Sequence, residues 1–248
     1  MSDDGEQDGS ATVELPAHTR QWIALLVPSG SAPAWLRVTE VEQRGAAALS
    51  VVVAIVLQLA LPDTLTFGPH WLVPALEALL LVALVGSQRL LGHAVTARLR
   101  PLALTLAGLV AAANLTSTGL LVATLVSGQP LSARQLLSTG LLVWVTNVIA
   151  FALIYWELDR GGPLSRAMMS DSYPDFLFPQ MASPGVAAMD WEPRYFDYVY
   201  VSFTNATAFS PTDTMPLSRW AKALMLVQSA VALVTVGLVF ARAVNILR

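Results

Sequence analysis

The sequence predicts an all-α integral membrane protein, because it has too few charged residues to cover a surface that faces water. Hydrophobic residues make up 55% of the 248 residues and charged residues 12%, whereas soluble domains carry about 25% charged residues. The second observation is a series of apolar stretches, most of which approach the roughly 20 residues that a helix needs to cross a bilayer. Lipid is therefore the expected solvent for much of the chain.

The N-terminal region, residues 1–45, is expected to stay outside the hydrocarbon. Its first residues are acidic and lack the basic start and apolar centre of a signal peptide. We interpret them as a disordered acidic tail. The stretch that follows contains Trp22 and Trp35, and tryptophan favours the headgroup level of a membrane. This stretch is predicted to lie on the membrane surface.

Five apolar stretches are predicted to be transmembrane helices. Four of them form a predicted four-helix transmembrane region within residues 46–156, and the fifth closes residues 157–248. The breaks between them contain Gly or Pro, which end helices. The predicted spans are Ala46–Leu61, Trp71–Leu91, Leu102–Val126, Leu136–Trp156 and Trp220–Leu247.

The long connection Glu157–Pro216 between the fourth and fifth spans is both aromatic and acidic. Disordered segments are poor in aromatic residues, so this connection is expected to fold against the helices. Its excess of carboxylates could form an acidic mouth that concentrates cations. A solvated loop with no electrostatic role would have the same composition.

The stretch Tyr195–Leu247 joins a half-length aromatic helix, a loop and a full spanning helix. Aligned without gaps, it resembles the pore module of the potassium-channel superfamily, whose pattern is S-F-x-T-x-T-T-V-G-Y-G-D-x-x-P. The matching positions are Ser202, Phe203, Thr207, Asp213 and Pro216. It is also similar to the C-terminal end of bacterial membrane proteins with the same pattern. The resemblance implies a re-entrant segment at Tyr195–Thr212, a homo-oligomer that would be a tetramer, and a place in the bacterial inner membrane.

The filter positions depart from the family pattern. Ser210 and Thr212 replace the two glycines that reach positive φ without strain. Pro211 fixes its own φ and restricts the residue before it. A stack of carbonyls that selects potassium is therefore not expected. Two alternatives remain, a wider hydrated opening or a non-permeable hairpin. The residues predicted to line the opening are Thr204, Asn205, Thr207, Ser210, Thr212 and Asp213.

The last span carries Gln228, Thr235 and Arg242 at intervals of seven residues, which places them on one helix face. That face could line a pore, so Gln228 and Thr235 join the candidate pore-lining residues. It could equally pack against another helix through hydrogen bonds, the more common use of such residues.

Polar groups also occur within the earlier spans. Glu77 is an intramembrane acid, and an ionisable group at that depth is a candidate for function. The alternative is a carboxyl group that reaches the interface or is protonated. The Asn114–Thr118 stretch and Asn147 are expected to hold helices together, with a substrate site as the other interpretation.

The sequence gives little support for an enzyme, a cofactor or a metal site. Cysteine is absent, and the three histidines lie far apart in the chain. The Trp156–Arg160 stretch, which closes the fourth span, has two carboxylates beside an arginine. Such a group could serve acid–base catalysis, but a solvated, self-neutralised helix end is the commoner case. The net charge of −3 argues against a nucleic-acid partner.

Two functions remain open at this stage. One is a channel-like protein that passes ions or small solutes, cations among them, without potassium selectivity. The other is a non-conducting membrane scaffold or binding protein, whose contact with a partner would be Tyr173–Gln180.

The distribution of basic residues predicts the orientation of a multi-pass protein in the cell membrane. The second loop carries Arg89, Arg98 and Arg100, whereas the first loop, Pro62–His70, has no Lys or Arg. Short loops rich in basic residues stay in the cytoplasm. We therefore expect a cytoplasmic N-terminus, a cytoplasmic re-entrant segment and an external C-terminus. The arrangement is inverted relative to potassium channels, whose re-entrant segment lies on the outer side of the cell membrane. It resembles that of ionotropic glutamate receptors, whose pore loop enters from the cytoplasm.

Overall fold

The protein is mostly helical in a computed structural model that describes residues 32–91, 96–128, 132–170, 173–183, 185–207 and 213–246. The helices are α1 (Gly45–Leu59), α2 (Leu72–Leu91), α3 (Thr96–Val126), α4 (Ala133–Leu158), α5 (Pro163–Ala167), α6 (Pro179–Ala182), α7 (Tyr195–Thr207) and α8 (Arg219–Ile246). Two short strands, β1 (Phe176–Leu177) and β2 (Met215–Pro216), pair antiparallel. Short 3₁₀ turns occupy Ala34–Leu36, Asp63–Leu65 and Asp159–Gly161.

Three helical stretches are long and apolar enough to cross a membrane: Leu99–Val126, Ala133–Gly161 and Arg219–Arg242. They match the third, fourth and fifth predicted spans and indicate a membrane protein. The apolar parts of the first two helices, Gly45–Leu59 and Leu72–Ser87, are shorter. At 15 residues, α1 is about 22 Å long, whereas the hydrocarbon core of a bilayer is about 30 Å thick.

The third helix begins earlier than the sequence indicated. We expected the Arg100-Pro101 pair to start the span at Leu102, but α3 begins at Thr96 and contains Pro101 in its second turn. Proline lacks an N–H and fits best in the first turn of a helix, where that group has no partner anyway. Here Pro101 forfeits one hydrogen bond near the helix start, and the helix continues through it.

Helix α4 is the centre of the bundle, and its neighbours run antiparallel to it. In its most apolar stretch 56% of the residues are buried, against 33% in α3 and 22% in α8. The buried ion pair of Arg44 with Glu157 joins the start of α1 to the end of α4. Val239, near the end of α8, lies against Gly140, near the start of α4. The helices α1, α3, α7 and α8 all contact α4.

The outer faces of the helices are apolar, while polar side chains lie between the helices. Leu226 and Val82 are 72% and 69% exposed, whereas Asn147 and Gln228 are fully buried. A water-soluble protein of this size rarely leaves so much apolar area in contact with water. The distribution agrees with three helices that can cross a membrane, because helices in lipid associate through packing and interhelical hydrogen bonds.

The segment before α1 differs from the predicted membrane-surface segment. Trp35, expected at the headgroup level, is 6% exposed and buried in the protein. Its carbonyl accepts a hydrogen bond from the Arg160 guanidinium at 3.0 Å, and the N–H of Ala34 donates to the carbonyl of Met189 at 2.8 Å. The first bond holds the 3₁₀ turn against the end of α4, and the second holds it against the loop before α7. The acidic tail and Trp22 lie outside the described residues.

The close approach of α8 to α4 at Gly140 predicts a specific loss of stability. A Cβ atom at this position would lie 2.8 Å from a methyl group of Val239. We expect Gly140→Leu to lower the free energy of unfolding by about 1–3 kcal/mol, the usual cost of overpacking. Thermal unfolding in detergent measures this. The matched control is Gly119→Leu, since a Cβ atom there meets nothing within 4 Å. An equal shift in both variants would contradict the prediction.

Candidate functional site

Helix α7 has 13 residues, is about 20 Å long and lies against the C-terminal half of α4. At its start, Tyr195 packs edge-on against Trp156, with ring centroids 5.6 Å apart. At its last turn, the indole N–H of Trp144 donates to the carbonyl of Ala206 at 3.4 Å. Helix α7 therefore runs antiparallel to α4 and ends near the middle of that helix.

After α7 the chain comes back to the end of α4 where α7 began. β2 pairs with β1, and the N–H of Leu217 donates to the carbonyl of Asp175 at 2.7 Å. The Asp175 carboxylate accepts from the indole N–H of Trp220 at 2.8 Å and from the backbone N–H of Arg160 at 2.9 Å. Arg160 follows α4 closely in the chain. The start of α7 and the described residues from β2 onward therefore lie at the same end of the bundle.

The carbonyl groups in the last turn of α7 accept hydrogen bonds from side chains. The Thr204 carbonyl accepts from the Thr207 hydroxyl at 2.8 Å, and the Asn205 carbonyl accepts from the Ser229 hydroxyl at 3.2 Å. The bond from Trp144 supplies a third donor. The last four carbonyls of any helix lack partners within the helix. Donors from α4, α7 and α8 therefore serve three of the last four carbonyls of α7, at an end that is half-buried against the bundle.

Gln228 joins α8 to α7 and α4 through its side-chain amide. The amide N–H groups donate to the carbonyl and hydroxyl of Ser202, at 2.9 and 2.6 Å. The amide oxygen accepts from the Tyr155 hydroxyl and from the Asn205 side chain, both at 2.7 Å. Because Gln228 is fully buried, these bonds replace those that water would otherwise make.

The network extends from Gln228 to α3. The side chain of Asn147 donates to the Gln228 carbonyl at 3.4 Å and accepts from the side chain of Asn114 at 3.3 Å. Both asparagines are buried. As expected from the sequence, these residues connect helices.

The residues predicted to line a pore mouth fall into four groups. Thr204 and Thr207 are half-buried, and their hydroxyls donate to carbonyls of their own helix. Asn205 lies inside the network, and Asp213 is exposed. Ser210 and Thr212 lie outside the described residues.

The last helix uses its predicted polar face for packing inside the protomer. Gln228 and Thr235 are 0% and 2% exposed, and the Thr235 hydroxyl donates to the carbonyl of Val231. The interval of seven residues does place both on one face, and that face points into the bundle. The sequence left two uses open for this face, lining a pore or packing against another helix. Within one chain its contacts are packing contacts.

Glu77 lies apart from this network, between α1 and α2. It is fully buried, and both its carboxylate oxygens accept from the Gln58 side chain, at 3.0 and 3.2 Å. The carboxyl group is therefore enclosed by the protein, and the functional interpretation and a protonated carboxyl group both stay predictions. Gln58 also lines a neighbouring cavity of about 170 Å³.

The charged residues at the end of α4 are buried, although a solvated helix end was expected. Asp159 is fully buried and accepts from the Tyr198 hydroxyl at 2.5 Å and from the N–H of Asp175 at 2.9 Å. The Arg166 guanidinium donates to the carbonyls of Asp159 and Trp156, at 3.0 and 2.6 Å. The expectation is wrong because α7 and β1 cover this end.

The aromatic residues of the long connection divide into an exposed set and a buried set. Tyr173, Phe196, Tyr200 and Phe203 are exposed, whereas Phe176, Phe178, Tyr195 and Tyr198 face the interior. Phe176 is fully buried and Phe178 is 3% exposed. Phe176 packs edge-on against Trp220, and Phe178 against Tyr198, with ring centroids 5.8 and 5.5 Å apart. The connection is folded, as predicted, but these two rings are not available to the partner that the scaffold alternative requires.

Several members of the network were not identified from the sequence, namely Trp144, Tyr155, Ser202 and Ser229. One available signal was the spacing of Ser202 and Asn205, which lie three residues apart and so share a helix face. Their partner on α8 lies more than 20 residues further along the chain, and the sequence contains no indication of that pairing.

Comparison of the chain with protein-family models, with curated proteins and with solved structures gives no match.

The network predicts a stability difference between two positions on one face of α8. Gln228→Met keeps the volume but leaves the Tyr155 hydroxyl without its partner and removes the bonds of Gln228 to Ser202 and Asn205. Buried groups left unpaired cost about 1–3 kcal/mol each, so we expect a clear fall in the thermal unfolding midpoint in detergent. The matched control Thr235→Val removes one bond to its own helix and should shift the midpoint little. Equal midpoints for both variants would contradict this role of Gln228.

Proposed function

We propose that the protein is a channel-like membrane protein. In this proposal α1, α2, α3, α4 and α8 cross the membrane, and α7 enters it as a re-entrant half-helix. Several copies surround a pore that passes ions or small solutes without selecting potassium. The neighbouring helices alternate in direction, as five successive crossings require. The short helix α1 would be accommodated by local thinning of the bilayer.

The observation that carries the proposal is the end of α7. Where water is excluded, every backbone carbonyl needs a donor from the protein. A helix end on the protein surface could bind water instead. The hydroxyls of Thr207 and Ser229 and the indole of Trp144 serve the last turn of α7. This supply of donors suits a helix that ends at membrane depth, which is the plan of a pore loop.

The direction of α7 favours cations. A free C-terminal helix end carries a partial negative charge of about half an elementary charge, and the side-chain donors at the last turn of α7 offset part of it. In the proposed arrangement this end points toward the middle of the membrane, where the charge is screened least. Asp213, which is exposed and lies shortly before β2, adds a carboxylate at the mouth.

A pore of this kind requires more than one chain, because one copy supplies one α7 and cannot enclose an axis. Closed symmetry is the usual solution for homo-oligomers. We propose a tetramer by analogy with the potassium-channel pore module, with Thr204, Thr207 and Asp213 near its axis. Cations then concentrate at a ring of identical carboxylates.

Ion flux tests the proposal directly. Protein reconstituted into liposomes should release Na⁺ and K⁺ faster than empty liposomes do. Asp213→Asn should lower the flux by roughly tenfold at low salt, because a charged mouth raises the local cation concentration, and by less at high salt. Asp190→Asn, another exposed carboxylate in a loop, is the matched control. An absence of flux, or a particle in detergent with the mass of one 26.5 kDa chain, would contradict the proposal and favour a non-conducting scaffold.

We propose the orientation given by the basic residues. The N-terminus and the entry of α7 are cytoplasmic, and the C-terminus is external. In the structure the start of α1, the start of α3 and the end of α4 meet at one end of the bundle, where Arg44, Arg100, Arg160 and Arg166 lie. This clustering agrees with a cytoplasmic end rich in basic residues.

Reporter fusions test the orientation. Alkaline phosphatase is active only outside the cytoplasm, so a fusion after Arg248 should be active. A fusion after Gly128, in the third loop, should also be active, and one after Met169 should be inactive. An inactive but well-expressed fusion after Arg248, together with an active one after Met169, would reverse the proposed orientation.

A further inference from the structure

A cavity of about 250 Å³ with several charged and hydroxyl groups in its lining lies where the end of α4 meets the starts of α1 and α3. Its lining includes Arg44, Arg100, Glu157, Gly162, Ser165 and Ser170. About 15 Å³ of such space is enough for one water molecule. The cavity is therefore large enough for a polyatomic ion or a lipid headgroup.

The lining of this cavity carries a net positive charge. The Arg44 guanidinium is paired with the Glu157 carboxylate, so these two side chains largely neutralise each other. Arg100 adds a positive charge, and among the described residues no carboxylate pairs with it. Its Nε–H is buried and has no hydrogen-bond partner there. A half-buried guanidinium charge without a counter-charge costs free energy, and an anion in the cavity would offset that cost.

The wall beside Arg100 depends on glycine. Gly162 has a φ of +95°, a conformation that L side chains rarely adopt. A Cβ atom at Gly162 would lie 2.9 Å from the Glu157 carbonyl oxygen and 3.8 Å from Nε of Arg100. The absence of a side chain thus keeps space open beside the guanidinium. The hydroxyls of Ser165 and Ser170 line the same cavity, and neither is engaged by another described side chain or backbone group.

The cavity lies at the ends of two helical stretches that can cross a membrane. Leu99–Val126 begins next to Arg100, and Ala133–Gly161 ends next to Gly162. Both ends therefore belong at the level of the lipid headgroups. Guanidinium groups suit phosphate because their N–H donors match its oxygen atoms, and basic pockets between helices on the cytoplasmic side bind anionic headgroups.

We propose that this cavity binds a phosphate-bearing anion, either the headgroup of an anionic lipid or free phosphate. The Arg100 guanidinium donates to the phosphate oxygens, and the serine hydroxyls complete the site. The bound group links α1, α3 and α4 at one membrane surface. This site is independent of ion conduction, so either proposal can fail without the other.

Two binding measurements on the purified full-length protein, delipidated in a neutral detergent, separate the two sources. Native mass spectrometry counts bound phosphatidylglycerol, with phosphatidylcholine as the zwitterionic comparison. Thermal unfolding, followed by tryptophan fluorescence, compares sodium phosphate with sodium chloride at equal ionic strength. Retention of phosphatidylglycerol alone identifies a lipid site, and stabilisation by phosphate identifies a site that also takes the free ion. If neither probe binds above its comparison, the proposal is overturned.

Variants then locate the site. We expect Arg100→Gln to weaken binding of the successful probe at least tenfold. Arg134→Gln removes an exposed arginine at the opposite end of α4 and should leave binding unchanged. Ser170→Asp places a negative charge at an exposed position of the cavity rim, and it decides the matter if Arg100→Gln does not fold. Affinity within twofold of the wild type in Ser170→Asp, or in a folded Arg100→Gln variant, would overturn the proposal.

Discussion

A helix that ends inside a bundle must satisfy its last carbonyl groups without bulk water. In α7 this task falls to Thr207, to Ser229 on α8 and to Trp144 on α4. The donors come from three helices, so the position of α7 is tied to the positions of both neighbours. A shift of α8 by one turn would move Ser229 and Gln228 together and would break bonds to both α4 and α7. The polar interior therefore sets the register of these helices.

The same constraint explains why α4 holds the centre. Helices in lipid gain little from burying apolar side chains, because the surrounding lipid is equally apolar. Close approach and hydrogen bonds must hold them together instead. Along α4, Gly140 allows Val239 to approach closely, Asn147 bonds to α3 and α8, and Glu157 pairs with Arg44 at the start of α1. The neighbours are thus fixed at three levels along one helix.

The sequence predicted what depends on local composition and missed what depends on distant partners. Apolar length located the helices within a few residues, apart from the start of α3, where Pro101 did not end the helix. The seven-residue interval placed Gln228 and Thr235 on one face, but it could not say which way that face points. Asp159 was expected in solvent because its cover, Tyr198, lies 39 residues later in the chain. For the same reason the aromatic rings of Phe176 and Phe178 could not be placed inside from composition alone.

The two ends of the bundle differ, and the difference bears on how a pore without filter glycines could favour cations. At the end that we propose is cytoplasmic, Asp159 and Glu157 are engaged by Tyr198 and Arg44, so these carboxylates are not free to attract ions. The remaining negative potential on the proposed path comes from the C-terminal end of α7 and from exposed Asp213. Both would repeat around a symmetric ring. A preference for cations then needs only the direction of a half-helix, whereas selection of potassium needs the row of carbonyls that Pro211 opposes.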